Sequence, residues 1–119
     1  MGDIVDADQL QAVYSEIALE CNVIAMQRLQ TNDTKLSFEL LKKAELFSEH
    51  NERLRATTYN NFACYFRKNN QLRNALSYLE MALELEYRCI NAANEMTVSQ
   101  TLSISNPTEI HLNICAILS

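Results

Sequence analysis

The sequence predicts an all-α protein, and three observations support this fold class. The 119 residues include one Gly and one Pro, so hairpin turns and Gly-rich nucleotide loops lack the residue that they require. Apolar residues recur every three or four positions, as on one face of a helix, rather than at every second position. Short clusters of Asn, Asp, Ser and Thr separate these periodic segments. The length suits one domain with a real core.

Two helices are predicted in the first part of the chain. The first begins near Asp8, which is expected to form a capping box with Gln11, and it ends near Gln30. Residues 31–34 have the composition of a turn. Either Asp33 or Thr34 then caps a second helix, whose apolar stripe runs to residue 47.

Two further helices are predicted in the middle of the chain. Residues 48–51 interrupt the periodicity, and a third helix follows from about Glu52 through Arg67. The pair Asn69 and Asn70 predicts the next turn, because Asn tolerates the left-handed conformation that ends many helices. A fourth helix is expected from Gln71 to about residue 95.

The last part of the chain is predicted to contain a loop and one more helix. Residues 97–105 are rich in Ser, Thr and β-branched side chains, which favours a loop, with a further helical turn as the alternative. Asn106 is suited to the N-cap, Pro107 to the first helical position, and Glu109 stands three residues after the cap. The final helix is therefore expected over residues 110–119.

The segment 59–87 contains the most specific pattern in the sequence. Its first half has an aromatic, a large apolar, a small and a second aromatic residue, and its second half alternates small, large and small residues. This segment resembles the tetratricopeptide repeat (TPR), whose signature is W-x₂-L-G-x₂-Y…A-x₃-F…P over 34 residues. Tyr87 in the closing Pro position is a departure. The residues that carry the resemblance are Tyr59, Phe62, Ala63, Phe66, Ala75, Leu79 and Ala82.

Two weaker copies of this pattern flank the central one. Ala25 precedes Ala63 by 38 residues, and Cys115 follows Ala63 by 52, against the usual 34. Arg28 stands in the first copy where the central one has Phe66. The first copy comprises Cys21, Ile24, Ala25, Ser37, Leu41 and Ala44, and the last comprises His111, Ile114, Cys115 and Leu118.

The resemblance implies a single TPR-like domain over residues 1–119, an antiparallel helix-hairpin solenoid of about two and a half repeats. The repeats are expected at about 18–51 and 56–89, with a half repeat at 108–119. Asn61 and Asn113 occupy matching positions and are expected to form hydrogen bonds to the backbone between repeats.

The resemblance also implies a non-catalytic module or scaffold that binds a protein or peptide in a concave groove. The first helix of each repeat lines such a groove. An extended or helical peptide with an acidic spot would suit this surface, because two of its residues are basic. The predicted contact residues are Asn22, Met26, Thr57, Asn60, Cys64, Arg67 and Lys68.

The predicted last helix is apolar on nearly all sides, whereas the terminal helix of a solenoid normally shows water a polar face. We therefore expect either that the chain is a fragment of a longer array or that a neighbouring protein or second copy covers this end. The residues expected to make that contact are Ile110, Ile114, Ile117 and Leu118.

Two alternative functions remain open. The chain could be a permanently packed structural subunit of a large cytoskeletal or ciliary assembly, or a regulatory helical segment of a larger enzyme. Nucleic-acid binding is disfavoured, because the net charge is −5 without a cluster of basic residues. Membrane insertion is disfavoured, because no apolar run approaches the ~20 residues of a membrane span. We predict a cytoplasmic location, with a possible link to the cytoskeleton.

No catalytic residue, metal site or cofactor is predicted. The four cysteines are widely spaced without a C-x-x-C pair, which matches neither a zinc site nor a disulfide framework. Cys64 lacks a nearby base in the sequence, since His50 precedes it by about four helical turns. Glu80, Glu84 and Glu86 are interpreted as a solvated acidic face of the fourth helix.

Overall fold

The computed structural model of the protein describes residues 6–96, with side chains described through Ala92. This part of the chain is all α-helical and contains no strand, which confirms the predicted fold class. The loop predicted at 97–105 and the helix predicted at 110–119 lie outside the described residues. The helices are α1 (Ala7–Gln30), α2 (Thr34–Phe47), α3 (Glu52–Lys68) and α4 (Leu72–Met96).

Each of the first three helices begins at a side chain that caps its free backbone N–H groups. Asp33 caps α2 by accepting from the Leu36 N–H at 3.2 Å, and Asn51 caps α3 by accepting from the Leu54 N–H at 3.1 Å. The capping box predicted at Asp8 is wrong by two residues. Asp6 has the extended backbone that a cap requires, and its carboxylate accepts from the Asp8 N–H at 3.3 Å.

The turn from α1 to α2 has the same geometry as the turn from α3 to α4. Asn32 and Asn70 both have left-handed backbones, with φ of 67° and 63°, as predicted for the Asn69-Asn70 turn. The N–H after each Asn bonds back to a carbonyl five residues earlier, at 2.9 Å in the first turn and 2.8 Å in the second. This is the Schellman motif, which satisfies carbonyl groups at a helix end.

The four helices form two hairpins that lie side by side. Helix α1 packs on α2 and α3 packs on α4, while α3 also contacts both helices of the first hairpin. Hydrogen bonds join Asn51 to Ser15 at 3.1 Å and Asn22 to Thr58 at 2.9 Å. Both bonds span 36 residues in the same direction along the chain, so α1 and α3 run parallel.

A repeat of 38 residues is seen in the pattern of buried residues. The completely buried residues of α2 recur in α4 after 38 positions, and Ala25 of α1 recurs as Ala63 of α3, as the sequence spacing indicated. Small residues at these positions allow neighbouring helices to approach closely. The matched pairs in the second helices are Ser37 with Ala75, Leu41 with Leu79, and Ala44 with Ala82, all 0% exposed.

An aromatic cluster joins the two hairpins. Phe38 of α2 contacts Phe62 and Tyr65 of α3, with ring centroids 6.0 and 5.0 Å apart. Tyr78 of α4 stacks on Phe62 at 4.9 Å and on Phe66 at 5.3 Å. Such ring pairs add to the hydrophobic stabilisation that burial of their area supplies. The cluster packs α2 of the first hairpin against α3 and α4 of the second, and so helps to hold α1 beside α3. The candidate site lies between these two parallel helices.

Candidate functional site

A groove open to solvent runs between the last turns of α1 and α3. Its cavity has a volume of about 380 Å³, and we call it the α1–α3 groove. Because the two helices are parallel, their C-terminal ends lie at the same end of the domain. The lining residues are Met26, Leu29 and Gln30 from α1 and Cys64, Arg67 and Lys68 from α3. Four of the seven predicted contact residues are thus brought together: Met26, Cys64, Arg67 and Lys68.

The groove combines an apolar floor with a basic edge. Leu29 is only 5% exposed and Met26 is half-buried, so both offer apolar surface at the base of the cavity. Arg67 and Lys68 are exposed residues in the last turn of α3. Their charges are adjacent on a protein whose net charge is −5. The groove can therefore hold an apolar side chain beside a carboxylate.

The apolar surface continues along α1 beyond the cavity. Leu19 and Val23 are 53% and 51% exposed, and they precede Met26 by seven and three residues. Residues at this spacing share one side of a helix. The exposed apolar stripe lengthens the surface that a bound segment could cover.

Two predicted contact residues lie on α3 without lining the cavity. Thr57 and Asn60 are half-buried, and they precede Cys64 by seven and four residues on the same side of the helix. The Thr57 hydroxyl donates to the Arg53 carbonyl oxygen at 3.3 Å. They flank the groove and do not form it.

The structure places Asn22 inside the interface between α1 and α3 rather than on the groove surface. The side chain is 2% exposed. Its Nδ2 donates to the Ala18 carbonyl oxygen at 3.0 Å and to Thr58 Oγ1 at 2.9 Å. Its Oδ1 accepts from Asn61 Nδ2 at 2.9 Å. Its polar atoms form hydrogen bonds with these neighbours, so Asn22 holds the two helices together. The prediction that Asn22 lies on the groove surface is therefore wrong.

The Asn22 contacts also revise the role expected for Asn61. Asn61 does bond between the two hairpins, but its partner is the side chain of Asn22 and not the backbone. The sequence carried a signal for this contact, since Asn61 stands within the repeat signature. It carried none for Asn22, which reads as a polar interruption of the α1 stripe.

A second cavity, of about 310 Å³, lies where the start of α1 meets the end of α2. Tyr14 and Phe47 form its aromatic wall, with ring centroids 5.5 Å apart. His50 Nε2 lies 3.7 Å from a Glu49 carboxylate oxygen at its rim. The sequence contains no local signal for this cavity, because its lining residues come from two segments more than 30 positions apart.

Two of the described cysteines lie in surroundings that favour the neutral thiol. Burial raises the pKa of the Cys21 and Cys89 thiols, and in Cys89 the nearby Glu86 and Glu52 raise it further. A raised thiol pKa suppresses the thiolate, which is the nucleophilic form. Among residues 6–96 there is no group of three or more His, Cys, Asp or Glu that could hold a metal ion.

One of the three glutamates assigned to the acidic face of α4 is not solvated. Glu80 and Glu84 are exposed as expected, but Glu86 is 1% exposed. Glu86 follows the buried Ala82 by four residues, so it lies on the same side of the helix as the core. Its position matches that of the buried Ser48, 38 residues earlier.

The four residues expected at the open end, Ile110, Ile114, Ile117 and Leu118, lie outside the described residues. Of the helices that the structure describes, none has the length and apolar character needed to cross a membrane. Comparisons of the chain with protein-family models, curated proteins and solved structures found no match.

Proposed function

We propose that this chain is a non-catalytic protein-interaction module of the TPR-like type, which binds a peptide segment of a partner protein in the α1–α3 groove. One observation supports this function above all. The repeat register predicts four groove residues that line one cavity together, namely Met26, Cys64, Arg67 and Lys68. We further propose a cytoplasmic location, where reduced cysteines are the ordinary state.

The groove favours a peptide with apolar side chains beside an acidic residue. The cavity lies at the small end of the range for ligand pockets, so it accommodates an anchoring side chain rather than a whole peptide. Leu19 and Val23 provide apolar surface on one side of this anchor. Arg67 offers a guanidinium that can bind a carboxylate through two parallel hydrogen bonds, and Lys68 adds a second positive charge.

A peptide selection tests this function. A phage-displayed library of random peptides is selected against the full chain, and the most enriched peptide is titrated by fluorescence polarisation. We expect enriched sequences to pair apolar with acidic residues. We expect the combined Arg67→Glu and Lys68→Glu substitutions to weaken binding by at least about tenfold, because each places a like charge beside the peptide carboxylate.

The control carries the same change of charge elsewhere. Lys43→Glu with Arg53→Glu alters two exposed residues, one in the second half of α2 and one at the start of α3, away from the groove, and this variant should bind the peptide as the wild type does. Selection without enrichment would contradict the proposal. Equal loss of affinity in the control would also contradict it, since the effect would then come from net charge and not from the groove.

A further inference from the structure

One side of α1 is left uncovered where the matching side of α3 is buried. Thr58 and Phe62 of α3 are 0% and 1% exposed, because they pack against the first hairpin through Asn22 and Phe38. The residues 38 positions earlier are Glu20 and Ile24. Glu20 is exposed and Ile24 is 39% exposed. The position that receives a neighbouring hairpin in α3 is thus unoccupied by any described residue in α1.

The uncovered side forms a continuous stripe whose members are three or four residues apart. This spacing is typical of a helix face that packs on another helix. Its apolar members are partly exposed, Leu10 at 41% and Val13 at 49%, with Ile17 half-buried. We define the outer face of α1 as Leu10, Val13, Ile17, Glu20, Ile24 and Arg28.

The two charged residues of the outer face are placed symmetrically about Ile24. Glu20 precedes Ile24 by four residues and Arg28 follows it by four, so each lies about 6 Å away along the helix axis. Neither residue belongs to an ion pair within residues 6–92, where the pairs are His50 with Glu49 and Arg88 with Glu52 and Glu84. Their charges are therefore available to an external partner.

We propose that a second copy of this chain covers the C-terminal half of the outer face, from Glu20 to Arg28, in a symmetric dimer whose two-fold axis passes beside Ile24. The three apolar residues before Glu20 would face positions beyond Gln30, where the partner's α1 ends, so they lie outside this contact. A two-fold axis perpendicular to α1 makes the two α1 helices antiparallel, and facing residue numbers then add to a constant. With Ile24 against its own counterpart, Glu20 faces the partner's Arg28, and Arg28 faces the partner's Glu20. The same surface is used on both subunits, as a two-fold dimer requires.

The charge arrangement favours this partner over an unrelated helix. In this dimer one apolar contact at the axis, Ile24 with its counterpart, is flanked by two identical ion pairs. The ion pairs form because Glu20 and Arg28 lie four residues on either side of Ile24. The dimer leaves the α1–α3 groove open, because Met26 is two residues from Ile24 and so lies about 200° around the helix. This inference does not depend on the proposed function.

Sedimentation equilibrium of the full chain over a range of concentrations tests the dimer. We expect a reversible monomer–dimer equilibrium that weakens as salt rises. Glu20→Arg should raise the dimer dissociation constant at least about tenfold, because two attractive pairs become two repulsive ones. Arg28→Glu should act alike, and Ile24→Asp should leave a monomer.

The combined exchange Glu20→Arg with Arg28→Glu gives the sharpest result. It restores opposite charges across the axis, so we expect a dissociation constant near that of the wild type. Glu80→Arg changes the same charge on the exposed surface of α4 and should leave the dimer unchanged. Circular dichroism confirms that each variant keeps its helices. A chain that stays monomeric, an oligomer unaffected by Ile24→Asp, or single reversals that the exchange does not rescue would each overturn the proposal.

Discussion

The contact of Asn22 with α3 gives the most direct test of how the two hairpins are held together. Asn22→Ala removes three hydrogen bonds at once, two donated by Nδ2 and one accepted by Oδ1. The Thr58 hydroxyl keeps its own bond to the Leu54 carbonyl oxygen at 2.9 Å. The Asn61 amide loses its acceptor in a part-buried position, so the substitution leaves at least one donor without its native partner.

The expected cost follows from this inventory. A protein hydrogen bond contributes about 1 kcal/mol net, and a buried group left without a partner costs about 1–3 kcal/mol. The Ala18 carbonyl oxygen can still accept the backbone N–H four residues later in α1, so losing the Asn22 side-chain bond costs it little. We therefore expect Asn22→Ala to lower the free energy of unfolding by about 2–4 kcal/mol, a large part of the stability of a small domain.

Urea denaturation followed by circular dichroism measures this cost, with three companion variants. Gln27→Ala removes an exposed amide from the same helix and should change stability by less than about 0.5 kcal/mol. Asn22→Leu keeps most of the side-chain volume, so it separates lost hydrogen bonds from an empty cavity. Asn61→Ala, alone and combined with Asn22→Ala, gives a coupling energy that we expect near about 1–2 kcal/mol. A cost for Asn22→Ala no greater than that for Gln27→Ala, or strict additivity with Asn61→Ala, would refute the reasoning.

Three further outcomes are expected from single positions. Ala63 is 2% exposed, so Ala63→Leu should cost about 1–3 kcal/mol by overpacking, whereas Ala12→Leu at an exposed position should leave the melting temperature unchanged; equal melting temperatures would contradict the packing. Because Asn70 has φ of 63°, Asn70→Ala should destabilise the fold by about 1 kcal/mol and Asn70→Gly should not, as measured by urea denaturation. Alkylation of Cys89 by iodoacetamide can be measured by mass spectrometry at a series of pH values. Because burial raises the pKa of Cys89, the pH of half-maximal alkylation should be higher in the folded chain than in urea. The stability that this raised pKa represents is complete below the unfolded pKa of the thiol and is lost as pH rises through the folded one.

The helices and turns could be predicted from the sequence because their signals are local. Asn70 ends α3 and Asp33 caps α2 through contacts with residues within five positions. The Ala25-to-Ala63 spacing gave the repeat, because small residues are needed wherever two helices approach closely. Four groove residues followed from the same register. The predictions of the turns and caps depend on chemistry within one helix or one turn, and those of the buried and groove residues depend on helical periodicity.

The predictions that failed depend on contacts between helices or on a choice between similar caps. Asn22 is buried because Thr58 and Asn61, more than 35 positions later, meet it across the α1–α3 interface. Glu86 is buried although acidic residues normally mark a solvated face. Asp6 and Asp8 are both good caps by composition, and only the backbone of Asp6 is extended. A single sequence does not contain these spatial relations.

Arg28 gives the two hairpins a fixed order. The hairpins share buried positions and identical turns, so during folding the first could compete for the place of the second. Phe66 holds its ring 6.3 Å from that of Phe38 and 5.3 Å from that of Tyr78, and Arg28 stands at the matching position 38 residues earlier. If the first hairpin took the place of the second, a guanidinium would replace the Phe66 ring in this half-buried cluster, and the ring contacts would be lost. Imperfect repetition thus protects this chain from the exchanged pairings to which closely similar repeats are prone.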